Sequence, residues 1–376
     1  MKRIKLLYIV MLLAAAYGAY AASATSPVFG VYKIDCPADS DTYIGIPATR
    51  TPEFSGVVEG IQTANFKIVA KGEPQWTTNK FVYSAGSQPN HYYLKFTSGA
   101  LEGAWYDINS NDAYSLSIDI GPAEFAKISE GDSFQIIPHW TMCTLFPDGG
   151  GFIKSLTGRP SGASLLYRYT KFTEDGVVCP VGINRALAYS YLYVQRDPIN
   201  GWRNGSDLSE DSSNEVIEPN SVIKVSQPAE TSTVTFTGII PECATSFELF
   251  TMPGEEGESQ PQDIYVATPS AVDIKMSDLT ECLVNSGAFA TGVRAGTDFI
   301  YIYRNERIGK NLTQDDSCWY IKRGDVERWV DEDQGDGGGC ILKAGGIIVI
   351  RKAATSEPVA MRCTFYPSYL ESLKSN

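Results

Sequence analysis

The chain has 376 residues, with 44 Asp or Glu against 31 Lys or Arg and a net charge of −13. That sign repels phosphate backbones and anionic lipid heads, so nucleic acid is excluded as an expected partner. The length suits two or three domains with sizeable cores.

The chain opens on Lys2, Arg3 and Lys5, followed by an uncharged apolar run from Leu6 to Ala16. Ala19-Tyr20-Ala21 and Ala22-Ser23-Ala24 then supply small-x-small patterns, which predicts a signal peptide over 1–21 cut after Ala21 or Ala24. The expected location is periplasmic, cell-surface or extracellular. No later stretch approaches 18 apolar residues, so no membrane span is expected in the mature chain.

Residues 22–138 read as an N-terminal β-domain. Leu116, Ile118 and Ile120 alternate with polar residues, and Tyr93-Leu94-Lys95-Phe96 is aromatic and apolar. Gly99 and Gly103 mark a turn before a strand near Trp105, and Asn109 to Asp112 marks the next turn, which together make a meander. Pro122 to Ile128, closed by Gly131, predicts two helical turns. Ser277 to Val284, with Ser277 as N-cap, is a second short helix.

From residue 139 a pattern recurs. Tyr193-Val194-Gln195-Arg196 followed by Trp202 returns as Tyr320-Ile321-Lys322-Arg323 followed by Trp329. Val216 to Val225 then aligns with Ile341 to Ile350, and Leu166-Tyr167-Arg168-Tyr169 with Ile300-Tyr301-Ile302-Tyr303. Residues 139–246 and 247–376 are therefore expected to be two related β units. The expected fold class is all-β: a β-meander, sandwich or barrel domain, then two units sharing a core.

The Ser98-Gly99-Ala100-x-x-Gly103 turn followed by Tyr106-x-Ile108-x-x-Asn111 resembles a family of uncharacterised bacterial secreted β-proteins of the Verrucomicrobia and their relatives. That resemblance implies a signal peptide, a Ser-Gly-Ala turn, and units of aromatic strand, Trp, polar loop and Ile-x-x-Gly. It implies no activity. The chain departs from the pattern in its eight cysteines and in Asn220-Ser221, where glycine is usual.

Eight cysteines in an exported chain predict disulfides, and Cys318 with Cys340 bracket one loop and form the favoured pair. No C-x-x-C, G-x-S-x-G or H-E-x-x-H occurs, and the two histidines, His91 and His139, read as structural. Acidic residues cluster after each tryptophan. Asp207, Glu210, Asp211 and Glu215 follow Trp202, and Asp331, Asp333 and Asp336 follow Trp329 beside a glycine run. The second set approaches a calcium loop without being an EF-hand; no other cofactor is expected. Trp202 and Trp329 are expected in the core, with ligand stacking as the other role.

These signals suggest a non-catalytic exported protein, a cell-surface or extracellular structural component that self-associates. The alternative is a glycan or surface-ligand binder. A hydrolase using paired carboxylates is the third reading.

Overall fold

The computed structural model describes residues 27–173, 176–178, 182–184, 189–253, 259–293 and 296–374. The proposed signal peptide and Cys179 lie outside the described residues. The fold is all-β. No helix among the described residues is long and apolar enough to cross a membrane.

Strands β1 (Phe29–Cys36) and β2 (Asp41–Gly45) come first. Then β3 (Phe54–Gln62), β4 (Lys67–Ala70), β5 (Tyr92–Phe96), β6 (Trp105–Asn111), β7 (Ser115–Ile118) and β8 (Ser133–Pro138) close a barrel in the order β3-β4-β7-β6-β5-β8. Strands β5, β6 and β7 are the expected meander. Strand β6 runs on to Asn111 through a bulge between Ile108 and Ser110, so the turn falls later than expected, where Asp112 Oδ1 accepts from the Ser115 N–H at 2.8 Å. Alternate residues (Ile68, Leu94, Phe96, Leu116, Ile118, Phe134, Ile136) fill the barrel. The helix between β7 and β8 is one turn, Pro122–Phe125, shorter than expected.

The first later unit contains β9 (Trp140–Thr141), β10 (Leu165–Arg168), a hairpin of β11 (Lys171–Thr173) and β12 (Gly176–Val178), β13 (Tyr189–Val194), β14 (Gly201–Asn204), β15 (Val216–Ile217), β16 (Val222–Ser226) and β17 (Ser232–Ile239). Its main sheet runs β14-β13-β10-β16-β2, and β1 pairs with β17 along its whole length. Residues 29–45, read from the sequence with the N-terminal domain, therefore hydrogen-bond to this later unit. The barrel is the segment between β2 and β9. Its neck is tied where Trp140 Nε1 donates to the Ala48 carbonyl at 2.9 Å.

The second unit contains β18 (Thr245–Phe250), a hairpin of β19 (Met252–Pro253) and β20 (Ser259–Gln260), β21 (Gln262–Ala267), β22 (Ile274–Lys275), β23 (Phe299–Tyr303), β24 (Asp316–Arg323), β25 (Val326–Asp331), β26 (Ile341–Leu342), β27 (Ile347–Lys352) and β28 (Ala360–Phe365). Its main sheet runs β25-β24-β23-β27-β21, and β18 pairs with β28. The helical turns here start at Met276, one residue before the expected cap; Asp278 accepts from the Lys275 N–H at 2.9 Å.

Both sheets are buried on two faces, which explains runs such as Ile347-Ile348-Val349-Ile350. In β27, Ile348 and Ile350 join a core with Trp329 and Leu279. The alternate residues Ile347 and Val349 join Tyr43, Tyr169 and Val222 of the first sheet, with Tyr265, Tyr301 and Tyr303 packed around them. A tyrosine layer thus lies between the sheets. Tyr43 packs on Tyr303 with ring centroids 4.5 Å apart, and Tyr169 stacks on Tyr265 at 3.5 Å.

Backbone contacts across this seam are reciprocal. The Gly45 N–H donates to the Gly345 carbonyl at 2.8 Å, and the Ala267 N–H donates to the Asn220 carbonyl at 3.1 Å. Asn220 and Gly345 both hold a left-handed backbone, with φ of 60° and 73°. Asn311 and Asn305 add further ties: the Asn311 N–H donates to Asp41 Oδ2 at 2.7 Å, and Asn305 both accepts from the Tyr43 N–H and donates to its carbonyl at 2.7 Å. At the centre a Cβ on Gly45 would sit 2.3 Å from the Gly346 carbonyl oxygen and 2.9 Å from the Ala267 Cβ. Gly45→Ala should therefore destabilise the protein by about 1–3 kcal/mol, as overpacking does. Equilibrium urea unfolding checks this; a change within error would show that the seam yields freely.

Candidate functional site

The glycine turn before β6 determines where the barrel sits. Gly99 and Gly103 have φ of +85° and +83°. A Cβ on Gly99 would fall 2.1 Å from Asp132 Oδ1, and one on Gly103 would fall 2.7 Å from the Ala244 carbonyl oxygen. Ser98 Oγ accepts from the Ser133 N–H at 2.8 Å, holding the turn to the barrel. Glu102 accepts from the Ala244 N–H at 3.2 Å, and Ser246 Oγ donates to the Glu102 carbonyl at 3.1 Å. The Ser-Gly-Ala motif is thus a docking turn that seats the barrel on β18.

Docking there encloses a cleft of about 500 Å³ at the junction of the barrel and the two sheets. The barrel wall carries Trp105, Asp107 and Glu124. The stacked Tyr169–Tyr265 pair brings the end of the tyrosine seam into the cleft, and Glu218 and Arg362 complete the polar lining.

Each of these polar groups is held. Glu124 Oε2 accepts from the Tyr106 hydroxyl at 2.7 Å and pairs with Arg362, while its Oε1 pairs with Lys127 at 2.6 Å. Arg362 also reaches Glu248 Oε1 at 3.1 Å and lies over the Tyr106 ring. Glu218 Oε2 accepts from the fully buried Arg168 at 2.5 Å and from Ser221 Oγ at 2.9 Å. Burial works against the Arg168 charge, and Glu218, Tyr191 and Glu215 together more than restore it. Asp107 Oδ1 lies 2.7 Å from Nε2 of the buried His139.

The two histidines, distant in sequence, meet at this wall: the His139 N–H donates to the His91 carbonyl at 2.8 Å. Burial, then the nearby His139, pushes the His91 pKa down. Trp105 is half-buried, with the edges of Tyr93 and His139 supporting it at 5.7 Å each.

The residues singled out from the sequence lie elsewhere. Trp202 and Trp329 are 1% and 2% exposed, so neither can stack on a ligand. Each instead meets its strand partner edge to face, Tyr193 with Trp202 at 5.5 Å and Tyr320 with Trp329 at 5.3 Å. Asp331, Asp333 and Asp336 are not gathered into a calcium site. Asp331 Oδ1 accepts from the Gly335 N–H at 2.6 Å, and Asp336 Oδ1 accepts from the Gly338 N–H at 3.0 Å. Among the described residues no group of three or more His, Cys, Asp or Glu is placed to hold a metal ion. In the first acidic loop, Asp207 and Asp211 likewise close turns on Ser209 and Ser213. Cys318 and Cys340 are neighbours, with sulfurs 3.7 Å apart, and no disulfide is formed among the described residues.

The cleft residues were missed because segments far apart in the chain, from the barrel and from both later units, supply them. The available signal was Trp105-Tyr106-Asp107 directly after the glycine turn. No family model matches the chain, and neither a curated protein nor a solved structure shows significant similarity to it.

Burial acts against the Glu124 charge, but Lys127, Tyr106 and Arg362 outweigh it and hold its pKa below 4.5. A depressed carboxylate contributes stability that is full above its unfolded value and is lost as pH falls through the folded one. Glu124→Gln should therefore flatten the fall of Tm below about pH 4.5, as a pH series of thermal melts would show. Parallel curves for the two proteins would contradict this pairing.

Proposed function

We propose that the chain is an exported, non-catalytic binding protein whose cleft holds a neutral, hydroxyl-rich ligand of the carbohydrate class. The observation that carries this reading is the half-buried Trp105 beside the carboxylates of Asp107 and Glu124 in one enclosed cleft. An indole face packs on the C–H face of a sugar ring, and carboxylates accept from its hydroxyls. The cleft's arginine, Arg362, is already paired with Glu124 and Glu248, so the site offers little to a phosphate or a carboxylate ligand.

Binding is favoured over hydrolysis by the state of Glu124. Its pKa is pushed down, opposite to what a general acid needs. The basic and apolar N-terminal segment supports export. The two units read as copies of one ancestral unit, because corresponding strands take corresponding places in both sheets and the seam contacts are exchanged in pairs.

A glycan array tests the reading. Wild type should retain at least one glycan class, and Trp105→Ala should bind it about tenfold more weakly, the scale of one aromatic contact. No retained glycan, or an unchanged affinity, would refute it.

Export carries a second expectation. The Cys318 and Cys340 sulfurs lie 3.7 Å apart, so the two thiols can close to a disulfide where an external disulfide or oxygen takes up their two electrons and two protons. Protein recovered from an oxidising compartment should show a Cys318–Cys340 cross-linked peptide lacking two hydrogens. Two free thiols in that protein would count against export with pairing.

Self-association has its own observation, the open edge of β1, and concerns a different surface.

A further inference from the structure

The two units treat equivalent ribbons differently. In the second unit, β18 is covered by the barrel turn at Glu102 and Gly103, with the Ser246 N–H donating to the Gly103 carbonyl at 3.4 Å. Its counterpart in the first unit is β1, paired with β17. The far edge of β17 is closed, since Thr49 bridges to Ile239 and a Cβ on Gly151 would fall 2.4 Å from the Thr233 carbonyl oxygen. Among the described residues, no backbone hydrogen bond reaches β1 residues 29–36 from anything except β17.

The outward face of β1 is also apolar at one end and charged at the other. Phe29 is 58% exposed and Val31 69%, followed on the same face by the exposed Lys33 and Asp35. An open strand edge is a template for another strand, and this one carries Lys33 and Asp35 on its outward face. Single-chain β-proteins blunt such edges, and the second unit does so with the barrel turn.

We propose that β1 is the docking edge for a second copy of this chain, pairing antiparallel with the partner's β1 so that the two ribbons become one four-stranded sheet. The inner face of β1, Tyr32 and Ile34, is packed on its own core, so only registers that keep outward residues opposite outward residues are open. Among these, the one centred on Ile34 pairs residues 32–36 of the two copies and sets Lys33 opposite Asp35 of the partner subunit, twice across the two-fold axis, while Phe29 and Val31 lie beyond the paired stretch. Shifting the centre to Lys33 would oppose the two Lys33 side chains. Opposite charges in direct cross-strand positions stabilise and like charges destabilise. A head-to-tail contact that used the partner's barrel turn is closed, because that turn already sits on its own β18. The contact is therefore isologous and stops at the dimer.

Light scattering after size exclusion, over a concentration series of the full mature chain, tests this. Wild type should form a concentration-dependent dimer. Lys33→Asp and Asp35→Lys should each weaken it at least tenfold by setting like charges opposite one another. The double variant Lys33→Asp with Asp35→Lys should restore it, and circular dichroism should be unchanged throughout. Loss of the Asp35–Thr233 side-chain bond, present at 2.8 Å, would affect the single Asp35 variant and the double variant alike, so only the intermolecular pairing predicts rescue. A wild-type monomer at every concentration overturns the proposal. So does a dimer that both single variants leave intact, or one that the double variant fails to recover.

Discussion

The tyrosine seam between the two main sheets is the contact on which the rest of the molecule depends. Open sheets end in unpaired strands, and here the edge strand of each sheet, β2 and β21, is closed by a turn from the other. Gly45 bonds to Gly345, and Ala267 bonds to Asn220. The exchange works because Gly45 and Ala267 are small enough to meet at its centre and because Asn220 and Gly345 tolerate a left-handed backbone. On either side of that centre the Tyr43–Tyr303 and Tyr169–Tyr265 pairs are contributed in the same crossed way. Large planar side chains fill the gap between twisted sheets with few rotatable bonds to order, and the Tyr169 hydroxyl is hydrogen-bonded to Tyr43 and Tyr265 within the layer.

The cleft follows from that seam together with one insertion. The barrel leaves the first unit after β2 and returns at β9, so both of its connections lie at one neck, and a rigid body on a short neck needs a second contact to fix its angle. The Gly99–Gly103 turn on β18 supplies it, and the Glu124–Arg362 pair reinforces it. Three bodies then meet around a volume that none encloses alone. Such junctions are where concave sites with a few convergent polar groups arise.

Much of the fold was legible in the sequence, for reasons of range. Strand period, turn glycines and the Tyr–Trp spacing are local quantities. The offset match between Tyr193–Trp202 and Tyr320–Trp329 reported two hairpins whose residues do pair. Both tryptophans face cores, as large aromatic residues on paired strands are expected to, and the stacking role falls away. The membership of β1 and β2 was not legible, because their partners β17 and β16 lie roughly 180 to 210 residues away along the chain and Asp41–Gly45 is too short to carry a pattern. The acidic loops misled for a related reason. Asp and Ser in tight turns bond to their own backbone, and that local chemistry has the same composition as a cation loop. The cleft depends on distances between segments, which no spacing encodes.

The seam locks the two sheets into one cooperative body. Native-state hydrogen exchange on peptides containing Gly45 and Ala267 tests it most directly. Both amides should open only with the core strands β16 and β27, at the free energy of global unfolding. Exchange of either amide through a lower-energy opening that leaves β16 and β27 protected would show two separately stable sheets, and would contradict it.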